Sequence, residues 1–575
     1  MHPLTSRRTF VKGLAAGGLL GGFGLWRTPV WALSSPGQPT VLAGTDFDLS
    51  IDQTPVNLTG QARTALTING SLPGPLLRWR EGDTVTLRVK NRLAEPTSIH
   101  WHGILLPSTM DGVPGLSFKG IEPGGVFVYQ FKVKQHGTYW YHSHSGFQEQ
   151  QGVYGPLVID PREPEPYTYQ RDYVVMLSDW TDEDPVALMK TLKKQSDYYN
   201  LHKPTVSDFA RDVDRQGWSA TVADRWMWAQ MKMNPTDLAD VSGETYTYLL
   251  NGQPPRHNWT ALFQAGETMR LRFINGSAMT YFDVRIPGLK MTVIAADGQP
   301  VTPVSVDEFR IAVAETFDVL VEPTAEAYTL FAQSMDRTGF ARGTLARQAG
   351  AMAPVPALDP RVWLSMQDMG MGGMDHGAMA DMPGMEGMDH SAMGAMPMPM
   401  PMQSHAASEA NNPLVDMQAM NPVPKLDDPG IGLRNNGRRV LTYADLRSTF
   451  EDPDGRDPAR TIELHLTGHM EKFAWSFDGV KFSDAEPLQL TYGERVRLVL
   501  VNDTMMSHPI HLHGLWSDLE DENGQFQVRK HTIDMPPGSR RSYRVSADAL
   551  GRWAYHCHLL YHMEMGMFRE VRVHE

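Results

Sequence analysis

The chain has 575 residues, 41% of them hydrophobic, with 52 basic and 66 acidic side chains and a formal charge of −14. That length supports about three or four ordinary domains with substantial cores, and an acidic surface argues against nucleic acid or anionic membrane as partner while suiting cations. The single cysteine, Cys557, excludes an intrachain disulfide, so its thiol is either free or bound to a metal.

In chain order, Ser6-Arg7-Arg8-Thr9-Phe10-Val11-Lys12 comes first, followed by a Gly-rich, mildly apolar run to Trp26 and by Val30-Trp31-Ala32. The run is shorter than the roughly 20 residues of a spanning helix. Paired arginines, apolar run and small-residue cleavage site together read as a twin-arginine export signal over residues 1–32. A periplasmic protein with no membrane span after signal removal is expected. Cleavage removes Arg7, Arg8, Lys12 and Arg27 and no acid, taking the charge to −18.

Beyond the signal, short β-rich runs alternate with Gly, Pro and Asn, the pattern of sandwiches rather than bundles. Gly82-Asp83-Thr84-Val85-Thr86-Leu87-Arg88-Val89-Lys90-Asn91 recurs in outline from Gly266 to Asn275 and from Gly493 to Asn502, with Gly and Asn nine apart each time. An Asn-Gly or Asp-Gly turn, at Asn69, Asn251 or Asp478, precedes each copy. Three copies of one β domain are implied, at about 40–163, 168–348 and 438–575. Residues 181–235, rich in Asp, Lys, Met and Trp, read as a helical insertion, with Met227 and Met231 spaced to pack one helix face on a core.

Histidines follow two of the copies. His100-Trp101-His102-Gly103 and His142-Ser143-His144 lie in the first, His508-Pro509-Ile510-His511-Leu512-His513-Gly514 in the third, and none follows the middle copy, which should therefore be metal-free. Side chains alternate across a strand, so each His-x-His pair shares one face while His508, an odd step from His511 and His513, points the other way. The last strand carries His556-Cys557-His558, then His562 and Met567, and by the same parity Cys557 faces away from its two neighbours. Two His, one Cys and one Met are the donors of a blue-copper electron-transfer centre. Eight further histidines in four pairs suffice for a three-metal cluster, expected where the first and third domains meet.

Between domains two and three, thirteen of the thirty-seven residues from Met366 to Met402 are methionine, and Met374-Asp375-His376-Gly377-Ala378-Met379 returns as Met388-Asp389-His390-Ser391-Ala392-Met393. Gly and Pro there prevent regular helix. Thioethers select Cu(I), which gives this Met-rich linker (349–437) a Cu(I)-gathering role in addition to that of a linker.

These motifs resemble those of the multicopper oxidases, and the Met-rich insert with the export signal resembles the bacterial copper-resistance members of that family. The resemblance implies an all-β protein of three cupredoxin-like Greek-key β-sandwich domains holding four copper ions. It places a type 1 copper on His508, Cys557, His562 and Met567, a type 2 copper on His100 and His511, and a type 3 pair on His102, His142, His144, His513, His556 and His558. It further implies oxidation of Cu(I) to Cu(II) with four-electron reduction of O2 to water, in copper resistance. His508 or His562 is expected to present an exposed edge to the donor, and Asp111 to supply protons, with Glu564 a weaker candidate. Met535, Met563 and Met565 are candidates for a substrate-copper site. Cu(I) and O2 are then the substrates, a periplasmic copper-delivery protein a partner, and the chain a monomer. A laccase-like phenol oxidase and a copper-sequestering protein are the rival readings. His136, His202, His257, His465, His469 and His531 show no ligand spacing and read as ordinary.

Overall fold

A computed structural model describes residues 39–371 and 403–575; the export signal expected at residues 1–32 and residues 372–402 of the methionine run lie outside the described residues. The chain is mostly β, with two sheets in each of three successive blocks: five and four strands between residues 41 and 160, six and five between 171 and 346, and six and five between 460 and 574. The cupredoxin-like sandwich expected from the sequence is the architecture found.

The three repeat copies occupy equivalent places. Thr84–Asn91 pairs parallel with Asp46–Val56 and antiparallel with Val126–Lys132. Met269–Asn275 does the same with Arg171–Thr181 and Thr316–Val321, and Arg495–Asn502 with Arg460–His469 and Arg540–Ser546. The alternation explains the pattern: Val85, Leu87 and Val89 are fully buried while Thr84 and Lys90, on the other face, are exposed. Asn69, Asn251 and Asp478 turn the chain at φ of 53°, 49° and 52°, a left-handed conformation that Asn and Asp tolerate.

The asparagine that closes each copy is a joint. Asn91 donates to the carbonyls of Glu95 and Ile121 at 2.8 and 2.7 Å, Asn275 to Thr280 and Ile311 at 2.8 and 3.1 Å, and Asn502 to Met506 and Met535 at 2.7 and 2.8 Å. In all three the carboxamide oxygen accepts the N–H two residues on. Each asparagine is buried, so losing it strands buried carbonyls at roughly 1–3 kcal/mol apiece. The loop it pins leads directly to the next strand: His100–His102, Phe282–Arg285 or His508–Leu512.

The insertion expected at 181–235 forms helices Pro185–Lys194, Val206–Gln216 and Trp218–Met231. The last helix buries Trp228 and Thr221, with Met233 buried just beyond it; Met231 is half-buried against the core and Met227 half-exposed. The face expected to pack through two methionines thus packs mainly through a tryptophan. Met227 and Met231 instead line an open cleft with Trp226, Trp363, Met366 and Met371.

Buried polar contacts hold the blocks together. Lys530 of the third block is fully buried with its Nζ 2.9 Å from Asp297 and 3.1 Å from Glu315 of the second. Removing one member of such a network costs about 3–5 kcal/mol. Thr138 of the first block donates to Asp318 of the second at 2.7 Å. Among the described residues no helix is long and apolar enough to cross a membrane.

Candidate metal centre

Strand register brings the histidines together in pairs. His100 stands opposite His142 and His511 opposite His556, while Ile510 stands opposite Cys557. Facing residues of an antiparallel pair share a side, so His511 and His556 point one way and Cys557 the other, with His508 two steps from Ile510 on the cysteine's side. Trp101, between His100 and His102, faces the opposite core and packs on Trp79 with ring centroids 5.5 Å apart.

On one side of the last strand, His508 Nδ1 lies 3.5 Å from Cys557 Sγ and 3.1 Å from His562 Nδ1, and Sγ lies 3.9 Å from His562 Nδ1. Met567 is fully buried, and its carbonyl accepts the Cys557 N–H at 3.1 Å. His508 and His562 are both 0% exposed, which corrects the expectation of an imidazole edge open to a donor. The reason is Asp240, from the segment after the helical insertion. Its carboxylate accepts from His562 Nε2 at 2.8 Å and is itself buried. Thr504 meets His508 Nε2 at 2.7 Å on the other side.

Across the strand the eight remaining histidines form one cluster. His142 and His558 face each other through Nε2 atoms 3.3 Å apart, as do His144 and His556 at 3.3 Å and His513 and His556 at 3.0 Å. The ring of His102 lies 4.9 Å from that of His558, and His100 stacks on His513 at 3.9 Å. Their Nδ1 atoms are engaged outward: His142 with Glu149 at 2.6 Å, His513 with Asp111 at 2.8 Å, His511 with the His531 carbonyl at 2.6 Å, His556 with the Cys557 carbonyl at 2.9 Å and His100 with the Asp111 carbonyl at 2.9 Å. Such outer partners fix the tautomer and aim the other nitrogen inward, as second-sphere groups of metal sites do. His144 alone of the eight is only half-buried.

The donor set suits metal ions. Burial, then the neighbouring imidazoles, hold His102, His511, His513 and His558 well below the usual histidine range, and burial pushes His556 down to about 3. Burial likewise raises the Cys557 thiol well above its ordinary range, so the free protein keeps that proton until something displaces it. Neutral imidazoles with inward lone pairs are what a cation needs. His100 Nε2, His102 Nδ1 and His511 Nε2 are buried without any hydrogen-bond partner, and groups of three donors converge at His100-His511-His513, His144-His513-His556 and His508-Cys557-His562.

Asp111 is 1% exposed and bridges His513 and His100, with Oδ1 3.3 Å from His100 Nδ1. Glycine at 112 is required there: at φ 78° a Cβ would come within 1.9 Å of the Ile99 carbonyl. Glu564 ends the short helix Leu560–Glu564 with its side chain exposed. Met535 is fully buried; Met563 and Met565 are half-buried against the core.

Three partners escape sequence reading: Glu149, Asp240 and His531. Glu149 follows His142 by seven residues, and Asp240 is 322 residues from His562, so no local spacing marks either. His531, taken as ordinary, has Nδ1 3.2 Å from His102 Nε2, and a Cβ on Gly103 would come within 2.5 Å of its ring. Gly103 therefore leaves room for His531, but nothing in its spacing points to that residue.

Family models described as multicopper oxidase match residues 50–164, 171–350 and 455–575. The chain is 76% identical to a copper resistance protein A homolog of Pseudomonas syringae pv. tomato over the whole of both chains. It is 69% identical to copper resistance protein A of Escherichia coli over 99% of each. Among solved structures, Fet3p, a multicopper oxidase that functions in iron import, superposes with a TM-score of 0.64 at 18% identity, covering 92% of this chain and 90% of that one.

Proposed function

Because the chain belongs to the multicopper oxidase family, we propose that it is a periplasmic copper-resistance oxidase that takes electrons from Cu(I) and reduces O2 to water. Four Cu(I), one O2 and four protons give four Cu(II) and two waters. In this reading His508, Cys557, His562 and Met567 hold a type 1 copper, His100 and His511 a type 2 copper, and His102, His142, His144, His513, His556 and His558 a type 3 pair. When bound, these ions supply one-electron acceptance at the cysteine site and four-electron delivery to O2 at the histidine cluster.

The observation that carries the reading is the buried thiol with two imidazoles, whose sequence neighbours His556 and His558 reach into the eight-histidine cluster. Cys557 thus links the two sites through one peptide bond on either side. Asp111 orients His513, also faces His100, and is the carboxyl nominated to carry protons to the cluster. Asp240 fixes His562 and replaces an open imidazole edge with a buried carboxylate.

A small cationic donor fits that surface better than a phenol. No aromatic ring can stack on imidazoles that are 0% exposed, whereas half-buried Met563 and Met565 offer thioethers that prefer Cu(I). The similarity to proteins named for copper resistance is in keeping with copper as the substrate. Export through the twin-arginine pathway, domains at 40–163, 168–348 and 438–575, a monomeric state and a copper-delivery partner belong to this reading on sequence grounds.

The test is oxygen uptake by the copper-loaded protein with buffered Cu(I), beside a simple phenol. Rapid uptake on Cu(I) with slow uptake on phenol is expected. Faster use of phenol would replace the cuprous reading with a laccase-like one, and many more than four tightly held copper ions without turnover would favour sequestration.

A further inference from the structure

A second group of imidazoles and carboxylates lies away from the centre just described. Residues 403–420, which follow the methionine run in sequence, cross the third block: the Asp416 N–H donates to the Gly468 carbonyl at 3.0 Å, and Asp416 accepts from the Met470 N–H at 2.6 Å. His405 and Glu409 of this segment meet His465, on strand Arg460–His469, and Asp503, just after strand Arg495–Asn502. His405 Nδ1 lies 3.2 Å from Asp503 Oδ2 and 3.3 Å from Glu409 Oε2. His465 Nδ1 lies 2.6 Å from Asp503 Oδ2 and 3.7 Å from Glu409 Oε1.

Glu409, His465 and Asp503 are at most 3% exposed, and the His405 side chain, at 16%, forms the rim. The outward atoms are spoken for: Asp503 Oδ1 accepts the Ala419 N–H at 2.7 Å, and Gln418 donates to Glu409 Oε2 at 2.9 Å. The buried inward atom Glu409 Oε1 has no hydrogen-bond partner. Donors 2.0–2.2 Å from one tetrahedral ion stand about 3.3 Å apart, and the spacings among the inward atoms, 2.6, 3.2 and 3.7 Å, straddle that value.

We propose that His405, Glu409, His465 and Asp503 form a site for one divalent transition-metal ion, separate from the oxidase centre. Two imidazoles and two carboxylates, with neither thiolate nor thioether, suit Cu(II) and Zn(II) rather than Cu(I), and the general order of affinities places Cu(II) first. Two ligands come from the segment that rejoins the third block after the methionine run, and two from the block itself. An occupied site therefore pins that junction.

The experiment titrates the full-length, copper-loaded protein with Cu(II), and in a second arm with Zn(II). Calorimetry and electron paramagnetic resonance follow binding, and hydrogen exchange follows residues 403–412. One additional Cu(II) is expected, with coupling to two imidazole nitrogens, competed by Zn(II) and accompanied by slower exchange in that segment. His405→Gln at the rim and Glu409→Gln should each weaken this ion at least about tenfold while the colour of the Cys557 site stays. Failure to find a two-nitrogen ion, or one that survives both substitutions, would leave the four residues as an ion-pair network only and overturn the proposal.

Discussion

The second and third blocks of the molecule share one scaffold and differ in what it carries. In both, the closing asparagine of the repeat pins a loop, and the strand after it pairs with the same neighbours in the sheet. In the third block that strand presents His508 and His511. In the second it presents Phe282 and Val284 to the core and Asp283 to Arg310 and Arg337, each at 2.7 Å. The scaffold therefore delivers a strand to a fixed place, and the residues on that strand decide whether the place holds a metal or a salt bridge. The second block retains a supporting task, since its Asp297 accepts the N–H groups of His531 and Thr532 and its Ala278 carbonyl accepts the Leu560 N–H.

Breaking the chemistry while keeping the scaffold has the largest expected effect. Cys557→Ser should abolish the intense visible absorption and reduce Cu(I)-driven oxygen uptake to background, with thermal stability little changed because the substitution is nearly isosteric. Absorption, oxygen electrode and melting curve on one sample check this. Residual turnover would remove the cysteine from the electron path.

Asp111→Asn comes next. The amide keeps the size of the side chain but cannot carry a proton or accept equally well from His513, so oxygen reduction should fall about 10–100-fold while the Cys557 site keeps its colour and still accepts electrons. Rapid mixing of the pre-reduced protein with O2 isolates that step; an unchanged rate would assign Asp111 a merely structural part.

The asparagine joints sharpen the comparison more gently. Asn275→Ala and Asn502→Ala each strand two buried carbonyls and should each cost about 2–6 kcal/mol. Denaturant unfolding should find the two losses alike, yet only Asn502→Ala should alter the spectrum of the Cys557 site, because its loop leads to Thr504 and His508. A spectral change in both variants would show that the second block shapes the metal site directly rather than standing beside it.

Alternation explains why so much of this was legible in advance. His508 stands an odd number of residues from His511 and His513, and Cys557 lies between two histidines, so strand parity alone separates two sites. The three repeat copies and their turns were equally plain, because a buried closing asparagine and a left-handed turn leave residue types that recur. What parity could not supply is whatever acts across the fold. Asp240 reaches His562 from the end of an insertion, and its cover is why the imidazole edges are buried instead of open. His531 and His465 looked ordinary because neither stands in a His-x-His pair, and their partners come from elsewhere in the chain.

The smallest effect is expected at Glu564, and it separates two carboxylates that sequence proximity to ligands could not. Both follow a histidine closely: Asp111 comes nine residues after His102, and Glu564 two after His562. Asp111 is turned into the interface by a tight turn through Gly112 and meets His513 at 2.8 Å, whereas Glu564 is the exposed last residue of a short helix, with no hydrogen bond or ion pair to a cluster histidine among the described residues. Glu564→Gln should therefore leave kcat with Cu(I) within about twofold, the range of surface substitutions that disturb no buried contact. A loss as large as that of Asp111→Asn would make the end of this helix a second proton entry and divide the role between the first and third blocks.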